Sequence, residues 1–257
     1  MASQILYSVD EGAGIARVTL DRPERRNALN RALVEELKEA LTLAESDERV
    51  RVIVIAGSGP DFCAGADLRE LQQAVEAGPE VSLAEAQALG DLFILIRKLE
   101  KPVVALVHGQ ALAGGAGLAT ACDLVLARSD VRLGNPEVRQ GFVPAMVMAI
   151  LRRSLGEQRA FEMIALGDSI DADTAYRFGL VNRVFEAESF DREAAAFLET
   201  LASRSASAVA LSKRLLYQIE GASFETAIHE GAQVNVIARE TDDCREGVRR
   251  FLERADR

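Results

Sequence analysis

From Pro102 to Cys122 the chain carries no side chain that is charged at neutral pH. So long an apolar stretch either crosses a bilayer or lies in the middle of a folded domain. Two features decide between these. The stretch opens on Pro102, a helix breaker, and holds the polar "HGQ" of His108–Gln110 in its interior. Further along, in "ALAGGAGLATACD" from Ala111 to Asp123, stand Gly114, Gly115 and Gly117. Each weakens a helix interior by roughly 1 kcal/mol relative to alanine. The segment therefore reads as a buried strand, a glycine turn and a buried helix, and no membrane partner is expected.

The flanking sequence places that unit in an α/β domain. "GIARVTL" (Gly14–Leu20) alternates apolar and polar residues and ends at the Pro23 turn of "DRPERRN". "NRALVEELKEALTLAESD" has helical spacing, with Leu33, Leu37, Ala40, Leu41 and Ala44 on one face. "VRVIVIAG" and "KPVVALVHG" read as buried strands. "SGPDFCAGADLRE" reads as a glycine-rich loop entering a helix, and "VSLAEAQALGDLFILIRKLE" as a long amphipathic helix. "DLVLARSDVRLGNPE" gives two short strands and a loop. After Pro144 most of the chain is expected to be helical, ending in "VALSKRLLYQIE" and "CREGVRRFLERADR". The organisation expected is an α/β core over 1–200 and a helical C-terminal region over 201–257, with a soft boundary and one structural unit.

Composition narrows the partners. Forty acidic against thirty basic residues give a formal charge of −10, which disfavours nucleic acid and anionic membrane surfaces. The three cysteines, Cys63, Cys122 and Cys244, are few and widely spaced, so neither a disulfide framework nor a metal cluster is implied. No secretory leader is expected from "MASQILYSVDEG", and a reducing cytoplasm is the expected setting.

The motifs of several chemistries are missing. His108 and His229 stand far apart without paired cysteines, so no metal site is expected. There is no G-x-S-x-G elbow, P-loop or complete dinucleotide fingerprint. His108 reads as structural. Among the cysteines, Cys63 merits a test because it lies in a glycine-rich loop. What remains is two glycine-rich strand-to-helix loops, "FCAGADL" and "ALAGGAG", and a carboxylate. Free N–H groups at helix starts point at whatever lies before them. One from each loop can converge on a single oxygen, an oxyanion hole suited to a thioester carbonyl becoming an enolate. Tight strand–helix packing explains either loop taken alone.

Taken together these motifs resemble the enoyl-CoA hydratase/isomerase, or crotonase, superfamily along nearly the whole chain. The matching stretches are "LDRPERRNALN", "GPDFCAGADLRE", "KPVVALVHGQALAGGAGLATACDLVLA", "LGNPEVRQGFVP", "DADTAYRFGLVNRVF" and "TDDCREGVRRFLERADR". The resemblance implies a crotonase-like spiral of strand–strand–helix units with a helical C-terminal trimerisation region. It implies a homotrimer or a dimer of trimers, no bound cofactor, and coenzyme A as part of an acyl-CoA thioester substrate. By the same resemblance the oxyanion donors are the N–H groups of Ala66 and Gly114, and the acid/base is Glu137. The CoA and substrate segment comprises Arg25, Ala28, Ala64, Ala66, Asp67, Leu68, Arg69 and Gly114. Arg25, Arg26 or Arg69 can meet CoA phosphates, and each reads equally as a solvated surface charge.

One expected residue is missing. Hydratases of the family commonly carry two glutamates, and where one of them sits this chain has Gly117. A single carboxylate suffices to move a double bond, and also to hydrate one if the water is otherwise held. "PEVRQGFVPA" favours a hydratase-type lyase. An isomerase using Glu137 and a non-catalytic acyl-CoA-binding or assembly subunit are the alternatives. Asn135 can place a water or merely form the turn before Pro136. Restoring a glutamate at 117 is expected to keep or raise hydration in a hydratase, and to add hydration as a side activity in a dedicated isomerase.

Overall fold

A computed structural model describes residues 3–255. The chain opens with an antiparallel pair, β1 (Ile5–Asp10) and β2 (Ile15–Leu20). Helix α1 (Arg31–Ser46) follows, started by the Asn30 side chain, which accepts a hydrogen bond from the Leu33 N–H at 2.8 Å. Its buried stripe is Leu33, Val34, Leu37, Ala40, Leu41 and Ala44, the face that the spacing predicts plus Val34. Full burial of each leucine contributes roughly 1.5–3 kcal/mol. Next come β3 (Val52–Gly57), α2 (Leu68–Ala77) and α3 (Pro79–Lys98). The uncharged segment then forms β4 (Val103–Val107), β5 (Gln110–Leu112) and α4 (Gly114–Ala121).

β6 (Leu124–Arg128) and β7 (Arg132–Gly134) lead through a 3-10 turn (Pro136–Gln140) into α5 (Ala145–Leu155) and α6 (Glu157–Leu166). Beyond Pro144 most of the chain is helical, as the spacing predicts, with two short strands in addition. These are β8 (Ser169–Asp171) and β9 (Arg183–Phe185), with α7 (Ala172–Phe178) between them. The remainder is α8 (Phe190–Ala202), α9 (Ala206–Gln218), α10 (Phe224–Glu240) and α11 (Asp242–Ala255).

The strands form two sheets. The larger has the order β1-β2-β3-β4-β6-β9 and is parallel from β2 onward. The smaller, β5-β7-β8, pairs β5 and β7 in parallel. The chain therefore repeats one move: a strand in the large sheet, a short strand in the small one, then a helix. β4-β5-α4 and β6-β7-α5 are two such turns. A third starts at β3, beyond which Cys63 makes an isolated parallel bridge to Ala111, the middle residue of β5. This is the crotonase-like spiral that the motifs imply. β3 and β4 are buried because helices cover both sheet faces. α1 and the spiral helices pack on one side, and Phe190, Ala194 and Leu198 of α8 on the other.

The soft boundary at residue 200 falls inside α8. Beyond it, α9 is tied to the core by the buried Lys213. Its ammonium donates to the Ile96 and Lys101 carbonyls at 3.0 and 2.9 Å and pairs with Asp123 at 2.7 Å. The Tyr217 hydroxyl donates to the other oxygen of Asp123. A buried ion pair needs such added hydrogen bonds to offset desolvation. Among the described residues no helix is long and apolar enough to cross a membrane.

Candidate active site

The first loop is fixed by the turn before α1. Asn27 is fully buried at positive φ, donates to the carbonyls of Ser58 and Asp61 at 2.8 Å, and accepts from the Arg22 N–H. Leu29 then forms a parallel bridge to Ala66: its N–H donates to Gly65, and its carbonyl accepts from Asp67. In this register the neighbours of Ala66 make the bonds, and the N–H of Ala66 itself points away from Leu29. It has no acceptor among the described residues.

The second loop is held against the first. The Cys63 N–H donates to Gln110 and the Leu112 N–H to Cys63. The Ala113 N–H donates to Gly134 at 2.8 Å. Ala113 has φ 50 and ψ −123, a region that strains a residue with a Cβ. That kink ends β5 and begins α4 at Gly114, so the glycines occupy the helix's first turn rather than a loop, a correction to the strand-to-helix loop read there. Close packing overrides their poor propensity: a Cβ on Gly115 would collide with the Cys63 carbonyl. The Gly114 N–H, first in its helix, also has no acceptor among the described residues. A Cβ on Gly114 would stand 3.7 Å from the Ala66 nitrogen, so the two free amides are neighbours.

Sheet register ties the turn that carries Glu137 to the second loop. Leu112 and Gly134 are partners in the small sheet. Two residues past Leu112 is Gly114, and three past Gly134 is Glu137. Glu137 lies in the 3-10 turn, where a loop was expected, and is 7% exposed. Burial pushes its carboxyl above the ordinary value of 4.5, partly opposed by a backbone N–H and the nearby Asn135 amide. Its Oε2 has no hydrogen-bond partner among the described residues. Asn135 is 0% exposed, and neither of its side-chain polar atoms has a partner there either.

The other residues singled out in the sequence lie around the two loops. Ala64 is half-buried and donates its N–H to Arg26, so it is not a free donor. Asp67 is half-buried, accepts from the Arg69 N–H at the start of α2 and pairs with Arg22 at 3.0 Å. Burial alone would raise its pKa, but the Arg22 hydrogen bond, the Arg69 N–H and the charge of Arg22 hold it below the usual range. Leu68 and Arg69 are exposed at the start of α2. Arg25 is exposed and Ala28 half-buried in the early turn. Neither Arg25 nor Arg69 has an ion-pair partner among the described residues, whereas Arg26 pairs with Asp61 at 2.6 Å. Sequence reasoning missed Arg22 and Asn27, which lock the turn against the first loop. Their only signal was their place in "DRPERRN".

Two other candidates resolve as structural. The Cys63 thiol donates to the Asn27 carbonyl, and burial pushes its pKa up to about 12, leaving no nucleophile. His108 Nε2 meets the Gly59 carbonyl at 2.9 Å. A cleft of about 530 Å³ lies under α9, lined in part by Leu124, Leu216 and Tyr217. It includes none of Ala66, Gly114 and Glu137.

Gly117 is closed from both sides. A Cβ there would stand 2.7 Å from Val147 Cγ2 and 2.9 Å from Phe93 Cζ. A glutamate at 117 would therefore have to displace an apolar wall, which sets a packing cost against the expected gain or retention of hydration. Gly117→Glu should destabilise the protein by at least ~1–3 kcal/mol through overpacking, before the burial of its charge is added. A lowered melting temperature in thermal denaturation is the expected result. An unchanged melting temperature would show that Phe93 and Val147 yield.

Residues 10–257 match the sequence profile of the Enoyl-CoA hydratase/isomerase family, so the chain belongs to that family. A Thermus thermophilus protein provisionally named enoyl-CoA hydratase is 40% identical over 97% of this chain and 98% of its own. A Syntrophomonas wolfei protein named crotonyl-CoA hydratase is 35% identical over 93% of this chain and 92% of its own. The crystal structure of an enoyl-CoA hydratase from Mycobacterium smegmatis superposes with a TM-score of 0.93 at 34% identity, covering 98% of this chain and 97% of that one.

Proposed function

We propose that the protein is an enoyl-CoA hydratase-type lyase that adds water reversibly to a 2-enoyl-CoA, with Glu137 as its single acid/base. This reading is supported by two neighbouring unused amides, at Ala66 and Gly114, and by a buried carboxyl in the turn that follows the strand paired with β5, whose Oε2 has no hydrogen-bond partner among the described residues. The Glu137 carboxylate takes a proton from water as the water oxygen bonds to Cβ. The π electrons of the double bond move onto the thioester oxygen, where the two N–H groups stabilise the enolate. The carbonyl then re-forms as the Glu137 carboxylic acid returns the proton to Cα. Water is consumed and nothing else leaves, so no metal or redox cofactor enters the balance. Ala28, Ala64, Asp67 and Leu68 shape the CoA approach, and Arg25 and Arg69 offer unpaired cations to its phosphates.

The alternative is migration of a 3-enoyl to a 2-enoyl double bond by the same residue, and Gly117 is the observation that favours it. A non-catalytic acyl-CoA-binding or assembly subunit is disfavoured by the retention of both amides and Glu137. Incubation with crotonyl-CoA and, separately, with a 3-enoyl-CoA decides. Loss of the enoyl-thioester absorbance supports hydration, its gain alone supports isomerisation, and no change in either supports the binding role.

The functional unit in this reading is a homotrimer or a dimer of trimers assembled through the helical C-terminal region. α10 has no buried residue, and Phe224, Ile228, Val236, Val248, Phe251 and Leu252 stand exposed on α10 and α11. Light scattering at micromolar concentration should give the mass of a trimer or hexamer. A monomer would remove this part of the proposal.

A further inference from the structure

With Gly117 walled in, the hydration reading lacks a second group to hold the water. Asn135 sits two residues before Glu137, at the entry to the same 3-10 turn and fully buried. Neither its Oδ1 nor its Nδ2 has a hydrogen-bond partner among the described residues. A buried amide left so has given up its hydrogen bonds to water without replacement, and a purely structural turn residue has no need of it. Nor does the side chain cap its turn. Close by, Glu137 Oε2 is also buried without a partner.

We propose that Asn135 is a positioning residue that holds the nucleophilic water against Glu137, in place of the carboxylate that Gly117 cannot carry. The water donates one hydrogen to Glu137 Oε2 and the other to the Asn135 carbonyl oxygen, which leaves an oxygen lone pair free to face Cβ. Glu137 removes its proton during attack, as above. Asn135 exchanges no proton. Isomerisation needs no water in that place, so loss of Asn135 should fall far more heavily on hydration than on proton transfer at carbon, which feels the amide only through its modest effect on the Glu137 carboxyl. This inference rests on the hydratase reading.

The test compares the two reactions in Asn135→Leu, which keeps the shape of the side chain and removes both polar atoms. Replacing unpartnered polar atoms by an apolar isostere is neutral or stabilising, so the melting temperature should hold or rise. Hydration of crotonyl-CoA should fall by about 10²-fold, mainly in kcat, while isomerisation of a 3-enoyl-CoA stays within about threefold of wild type. Asn135→Asp keeps an acceptor oxygen and should retain more hydration than the leucine variant. Its added charge beside Glu137 should move the acidic limb of the hydration profile upward. If the leucine variant does not fold, the aspartate variant decides, and an unmoved limb overturns the assignment. Hydration and isomerisation falling together, or hydration unaffected by leucine, would also overturn it while leaving the hydratase reading intact. A wild type that hydrates nothing overturns both.

Discussion

Glu137→Gln should lower turnover by at least ~10²-fold on whichever substrate the wild type uses best, while leaving the fold and CoA binding in place. Glutamine fills the same volume and cannot take up the proton. In both reactions weighed here every proton passes through this carboxyl, so no parallel route is left to mask the loss. Stability should move the other way. Because burial raises the Glu137 pKa in the fold, the folded state holds its proton to higher pH than the unfolded state does. The stability linked to that proton is complete below the unfolded value of roughly 4.3 and is lost as pH rises through the folded value. Above the folded value the wild type therefore carries a buried, incompletely satisfied carboxylate that glutamine does not. Thermal denaturation should find Glu137→Gln gaining on the wild type as pH rises, with the difference vanishing in acid. The acidic limb of wild-type kcat/KM should likewise lie above that of an ordinary glutamate. Near-normal turnover in the glutamine variant would leave the proposed mechanism without its base.

What the chain disclosed in advance follows from length scale. β3, β4 and α1 were legible because each is long enough to show its period and its apolar face. β5, β8 and β9 have three residues each, fewer than any periodic signal needs, and exist because neighbouring strands pair with them. β1 was not anticipated: Ile5, Tyr7 and Val9 alternate with Leu6, Ser8 and Asp10, and the apolar Leu6 blurs the pattern. At the site, Ala66, Gly114 and Glu137 were nameable through the motifs that surround them. The absence of a glutamate at 117 was visible too. The packing that closes the position was not, because Phe93 and Val147 come from α3 and α5, far from Gly117 in sequence and adjacent only in the fold. The same limit hid Lys213, whose partners lie roughly a hundred residues earlier. The unpartnered state of Asn135 is a property of three-dimensional surroundings and has no counterpart in the sequence.

Ala66→Pro should reduce turnover by ~10²–10³-fold, about 2.7–4 kcal/mol of lost transition-state stabilisation, without unfolding the protein. The loop geometry makes this an unusually selective deletion. Proline removes one N–H, and at Ala66 that N–H has no acceptor among the described residues. The bonds that hold the loop to Leu29 belong to Gly65 and Asp67 and are untouched. The residue before the proline is Gly65, at φ 97, whose lack of a Cβ relieves the clash proline imposes on its predecessor. Gly114→Val attacks the same hole by shape. Its Cβ would rest at 3.5 Å from Leu29 Cδ1 and Leu89 Cδ2 and 3.7 Å from the Ala66 nitrogen, ordinary contacts, and the two methyls beyond it add bulk beside that amide. Gly114→Ala adds only the tolerated Cβ and should cost much less, so the alanine–valine pair separates blockage from backbone disturbance. Because the amides act on charge that develops during reaction, the loss in Ala66→Pro should fall on kcat more than on KM. Calorimetric titration with a saturated acyl-CoA should give an affinity close to that of wild type. Full turnover in a correctly folded Ala66→Pro would refute the placement of the oxyanion between these two loops.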